Sequence, residues 1–161
     1  MTEIKIGSLV IDLASGLEGT VTSRVEMFNG NVQYGVQPKV AKDASTMPDP
    51  YSIDGSQLKV KGKGISDKAT PAQSTDIQIG DEVEDIISGH TGIAATKTTF
   101  LNGCVYFDVV KKANDAKKIE STAMFMTCTR LKKVKAAKVK PITPASEKPT
   151  GGPTTRAYRA I

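Results

Sequence analysis

The chain has no tryptophan, one histidine, two cysteines and only 5% aromatic residues in 161 positions. Each shortage excludes something. A single histidine excludes chemistry that needs two or more imidazoles, most zinc sites among it, since these draw on several nitrogen or sulfur ligands, and no Ser/His/Asp trio appears around it. Two cysteines cannot build a disulfide framework, and Cys104 and Cys128 lack the spacing of a metal-binding pair. No apolar run approaches the ~20 residues that a membrane-spanning helix needs. The opening MTEIKIGSLVIDL lacks the basic-then-apolar pattern of a secretory signal. No glycine-rich phosphate loop or dinucleotide fingerprint occurs. The expectation is a non-enzymatic chain with no cofactor, no metal and no membrane contact, its core built from Val, Ile, Leu and Ala.

What is present is unevenly spread. Residues 1–75 carry 8 basic and 8 acidic side chains, residues 76–130 carry 6 and 8, and residues 131–161 carry 8 and 1. The net charge of +5 therefore resides in the last stretch. A nucleic-acid footprint, if there is one, belongs to that stretch and not to the body.

The strongest internal signal is a repeat. Sliding Lys5 onto Gln78, a shift of 73, aligns two segments without a gap. Ile6-Gly7 falls on Ile79-Gly80, Val10 on Val83, Asp12 on Asp85, Ser15-Gly16 on Ser88-Gly89 and Gly19 on Gly92. Asn29-Gly30 falls on Asn102-Gly103, Val32 on Val105, Val36 on Val109 and Leu58-Lys59 on Leu131-Lys132. Glycines and turn residues dominate, which is expected when shared backbone geometry is what two copies retain. Each copy predicts a short strand around Val10 or Val83 and a Ser-Gly-x-x-Gly turn whose two glycines supply positive φ. A longer strand follows over Thr20–Phe28 or Ile93–Leu101. Asn29-Gly30 and Asn102-Gly103 then predict hairpins of type I′. Return strands run over Val32–Val36 and Val105–Val109, and closing strands over Ser56–Val60 and Thr129–Val134. Lys111–Lys118 is polar all round and is expected as a loop.

The pattern Gly-Asp-x-Val-x-Asp-x-x-Ser-Gly-x-x-Gly-Ile, residues 80–93, resembles the KOW motif of small barrels related to the Src-homology-3 fold. The first copy departs from it at Ser8, where the motif favours Asp. That resemblance implies an all-β protein: two tandem small five-stranded Src-homology-3-like barrels of the KOW type plus an extended C-terminal arm. The expected organisation is a first barrel at 1–61, a linker at 62–76, a second barrel at 77–134 and a basic Pro/Thr-rich arm at 135–161. Phe28–Val40, FNGNVQYGVQPKV, and Leu101–Val109, LNGCVYFDV, also resemble small proteins of tailed bacteriophages. This second likeness implies no enzymatic activity and a phage context. Its expectation is a virion structural protein, assembled in the host cytoplasm, that decorates or cements the capsid or bridges its subunits. The expected partners are other virion proteins, the major capsid protein first, with self-association beside them. The alternative is a KOW-type nucleic-acid- or ribosome-associated module acting through the basic tail.

The arm cannot bury itself and needs a surface to lie on. Its expected contact residues are Lys138, Lys140, Arg156, Tyr158, Arg159 and Ile161. Lys39–Pro50 is expected as an exposed loop of the first barrel. Among single residues, Cys104 and Cys128 are expected as buried free thiols and His90 as an exposed turn residue. Asp81, Glu82, Glu84 and Asp85 are expected as a solvated, strand-deterring edge. Lys132, Lys133, Lys135, Lys138 and Lys140 form the only long basic run and carry no interleaved aromatic for base stacking.

Overall fold

A computed structural model describes residues 3–112 and 123–138. The fold is all-β and its strands form one antiparallel sheet. The first half supplies β1 (Leu9–Asp12), β2 (Glu18–Met27), β3 (Val32–Gln37), β4 (Tyr51–Asp54) and β5 (Leu58–Gly62). The second supplies β6 (Glu82–Asp85), β7 (Thr91–Phe100), β8 (Val105–Val110), β9 (Met124–Thr127) and β10 (Leu131–Lys135). In each half a single 3-10 turn, Gly55–Gln57 or Cys128–Arg130, precedes the last strand. The strands β4 and β9 have no counterpart in the sequence-based expectation, and the closing strands begin after the 3-10 turns.

The connectivity repeats. In the first half β5 pairs with β1, β1 with β2, β2 with β3 and β3 with β4. In the second, β10 pairs with β6, β6 with β7, β7 with β8 and β8 with β9. Each half has its own apolar cluster. Ile4, Val10, Val21, Tyr34, Val36 and Ile53 fill the first; Ile77, Val83, Ala94, Phe107, Val109 and Met126 stand at the matching repeat positions of the second. Alternation produces this: along β6 and β8 every second residue is buried, the period a strand imposes.

The halves meet through their long strands. Ser23–Met27 of β2 pairs antiparallel with Thr96–Phe100 of β7. Both strands change register just before this seam, between Val21 and Ser23 and between Ala94 and Thr96, which are equivalent places in the repeat. A bulge bends a strand and increases its twist. Here it lets one strand serve its own core with its first part and the seam with its second.

The segment after β5 is held at both ends. Ile65 N–H donates to the Gly7 carbonyl and Gln73 N–H to the Gly103 carbonyl. A Cβ on Gly64 would lie 2.3 Å from the Gly7 oxygen, and one on Gly103 would lie 2.5 Å from the Pro71 oxygen. Both glycines also adopt positive φ, 51° and 84°. Glycine is required at these places by close approach and backbone conformation together.

Two turn expectations are corrected. Gly30 N–H donates to the Met27 carbonyl and Met27 N–H to the Asn31 carbonyl, with Gly30 at φ 84°. That pattern is a type I turn ending in a glycine bulge, not a type I′ turn; Asn29 and Gly30 sit one position later than the type I′ reading placed them. Asn102-Gly103 repeats it through Gly103 N–H to the Phe100 carbonyl. In the Ser-Gly-x-x-Gly turns only Gly16 and Gly89 have positive φ, 77° and 76°. Gly19 and Gly92 are glycine because a Cβ would meet the carbonyl oxygens of Gln37 and Val110 at 2.6 Å.

Candidate interaction surfaces

The β1–β2 and β6–β7 turns are built alike from buried carboxylates. The Asp12 carboxylate accepts from Ala14 N–H (3.1 Å), Ser15 N–H (3.2 Å) and the Ser15 hydroxyl (2.5 Å). The Asp85 carboxylate accepts from Ile87 N–H (3.3 Å), Ser88 N–H (3.2 Å) and the Ser88 hydroxyl (2.6 Å). In both turns the serine oxygen then accepts a backbone N–H two residues on, from Leu17 or His90. Asp85 also receives the Arg130 guanidinium, at 3.1 Å from Nε and 2.6 Å from Nη2. The first copy carries Gln57 where the second has Arg130. Hydrogen bonds to the charged form lower a carboxyl pKa. The Ser15 hydroxyl and the Ala14 N–H hold Asp12 below its ordinary value. Arg130 first, and Ser88 after it, hold Asp85 far below.

These turns project apolar side chains into solvent. Leu13 is 64% exposed, and its repeat counterpart Ile86 is 61% exposed, with Ile87 beside it at 73%. Because β2 and β7 pair through their C-terminal parts, the two turns lie at opposite ends of the ribbon they form. A hydrogen-bonded turn that fixes exposed apolar residues loses little entropy on docking. Sequence reasoning missed these residues; the available signal was an apolar residue after each repeated Asp, at Leu13 and Ile86.

A second surface belongs to the second copy alone. Tyr106 of β8 and Phe125 of β9 stack at 4.7 Å and 14°, and Phe100 of β7 meets Tyr106 edge-on at 5.7 Å. Phe125 is 51% exposed. The first copy has Met27, Gln33 and Ser52 at the matching positions. An open cleft of about 540 Å³ borders Phe100, lined also by Thr22, Lys68, Thr70, Leu101 and Asn102.

The expected solvated acidic edge is overturned in part. Asp81 and Asp85 are buried, and with Val83 they point inward; Glu82 and Glu84 face the other way. Asp81 accepts from Gln78 N–H and Ala137 N–H, both at 2.8 Å, and pairs with Lys133 at 3.1 Å. Burial pushes its carboxyl up, and the Gln78 N–H and Lys133 bonds more than offset that, leaving it below its ordinary value. Parity decides this: the strand that buries Val83 buries its neighbours two residues either side.

Asn29 is exposed at the first hairpin, whereas Gly103 of the second is buried beneath the segment joining the halves. Both cysteines are free; Cys128 is buried and Cys104 half-buried. The Cys128 thiol donates to Gln73 Oε1 at 3.6 Å, and burial raises its pKa. His90 is half-buried, not exposed, and its Nε2 is shielded from solvent without a partner among the described residues. Of the basic run, Lys132, Lys135 and Lys138 are exposed, while Lys133 is taken up by Asp81 and the Asp76 carbonyl. Lys140, Arg156, Tyr158, Arg159 and Ile161 lie outside the described residues, as does most of Lys111–Lys118. No cluster of metal-ligating side chains occurs among the described residues, and none of their helices is long and apolar enough to cross a membrane. Comparison with protein families, with curated proteins and with solved structures finds no match.

Proposed function

We propose that this chain is a non-enzymatic assembly protein: two Src-homology-3-like barrels of the KOW type, joined through β2 and β7, that bridge or cement the subunits of a larger particle. The strand order β5-β1-β2-β3-β4, with a 3-10 turn before the last strand, supports the barrel assignment in each half. The observation that carries the function is the pair of equivalent turns, each locked by a buried aspartate and each presenting an exposed apolar residue, Leu13 or Ile86. Two modest contacts on one chain gain avidity without a deep pocket. The likeness of the hairpin segments to tailed-phage proteins makes a virion, and its capsid surface first, the particle to test.

The test is co-sedimentation of the purified chain with capsids lacking it. The wild-type chain is expected to pellet with them. Leu13→Asp combined with Ile86→Asp and Ile87→Asp is expected to remain folded and stay in the supernatant. Equal pelleting of both proteins overturns the proposal. Nucleic acid is the weaker alternative, because Glu84 and Glu82 stand opposite Lys132 and Lys135 across the β6–β10 pair. Oligonucleotide binding that weakens steeply with salt would favour it.

A further inference from the structure

Among the described residues four strands pair on one side only: β4, β5, β9 and β10. Three carry the features that deter a foreign strand. On β5 stand Lys59 and Lys61, on β10 Lys132, Lys133 and Lys135, and β4 contains Asp54 and follows Pro48 and Pro50. The fourth, β9, is Met-Phe-Met-Thr, with no charge and no proline. Its Met124 and Phe125 are 43% and 51% exposed. The aromatic stack of Tyr106 on Phe125 ends at this edge.

We propose that β9 is a self-association edge, and that its occupant is β9 of a second copy of this chain, added antiparallel about a two-fold axis. Three features favour a second copy. An uncharged strand meets its own image without repulsion, although the chain as a whole carries a net +5. An isologous contact places Phe125 of both copies on one sheet face, so that the stack continues across the axis instead of ending in solvent. The chain already uses the same device internally, since β2 and β7 join the two halves edge to edge in antiparallel register. The first copy lacks the site: Ser52 of β4 stands where β9 has Phe125. Self-association through β9 does not depend on which particle the chain joins.

The experiment is sedimentation equilibrium of the full chain over a wide concentration range, with hydrogen exchange at both extremes. The expected result is an average mass rising towards that of two chains, with slower exchange in Met124–Thr127 at the high end. Phe125→Lys is expected to hold the mass at one chain. Ser52→Lys, at the equivalent position of the first copy, is expected to behave as wild type. A wild-type chain that stays monomeric throughout overturns the proposal, as does a Phe125→Lys variant that still dimerises. Equal loss in Ser52→Lys would mean that β4 pairs with β9, which overturns the two-fold arrangement.

Discussion

Val25 of β2 and Thr98 of β7 face each other across the seam, and each is the other's counterpart in the repeat. The neighbouring pairs obey the same rule: Ser23 faces Phe100, the counterpart of Met27, and Met27 faces Thr96, the counterpart of Ser23. The seam is thus isologous within one chain, centred on Val25 and Thr98.

A charge placed on that axis acts on both halves. Thr98 is 6% exposed. Thr98→Lys is expected to lower stability by several kcal/mol, because an unpaired buried charge costs more than the ~1–3 kcal/mol of a neutral polar group. Hydrogen exchange should show protection falling together in Ser23–Met27 and Thr96–Phe100. Loss confined to β7 would contradict the shared seam.

The repeated glycines differ in cost. Gly89→Ala meets open space and suffers only the positive φ, an expected loss of about 1 kcal/mol. Gly92→Ala drives a Cβ to 2.6 Å from the Val110 carbonyl oxygen, an expected loss of about 2–3 kcal/mol. Urea midpoints of the two variants decide the order, which the sequence motif alone does not distinguish.

Acid should loosen the turns. The folded pKa values of Asp12, Asp81 and Asp85 lie below the ordinary 3.8. Groups lowered in this way contribute stability that is complete above the ordinary value and is lost as pH falls towards the folded one. Denaturation midpoints are therefore expected to be level from neutral pH to about 4 and to drop below it. Asp85→Asn, which leaves Arg130 without its carboxylate, should lower the neutral plateau and flatten the acid limb. An unchanged acid limb would show that Asp85 does not set it.

The exposed tips should be dispensable for folding. Leu13→Asp and Ile87→Asp are expected to change stability by no more than about 0.5 kcal/mol, the usual range for surface substitutions. Thermal unfolding measures this, and a large loss would mean that the tips pack against the chain.

The repeat offset, the β-strand period and the glycine positions are local properties, and the sequence determined them. Val10 and Val83 are buried because alternation places them inward, and Gly16 and Gly89 mark turns because few other residues adopt their φ. The 3-10 turns and the strands β4 and β9 were not legible, because four-residue strands following variable loops carry too little periodicity. Asp81 and Asp85 share the inward parity of Val83, but the partners that let a carboxylate occupy such a position, Lys133 and Arg130, lie far along the chain, and no local pattern supplies them. Only the tertiary structure decided that β2 and β7 pair across the repeat, that the segment between the halves packs on Gly7 and Gly103, and that Phe100, Tyr106 and Phe125 form one cluster. Those contacts join residues distant in sequence, and no local pattern encodes which strand edge will find which.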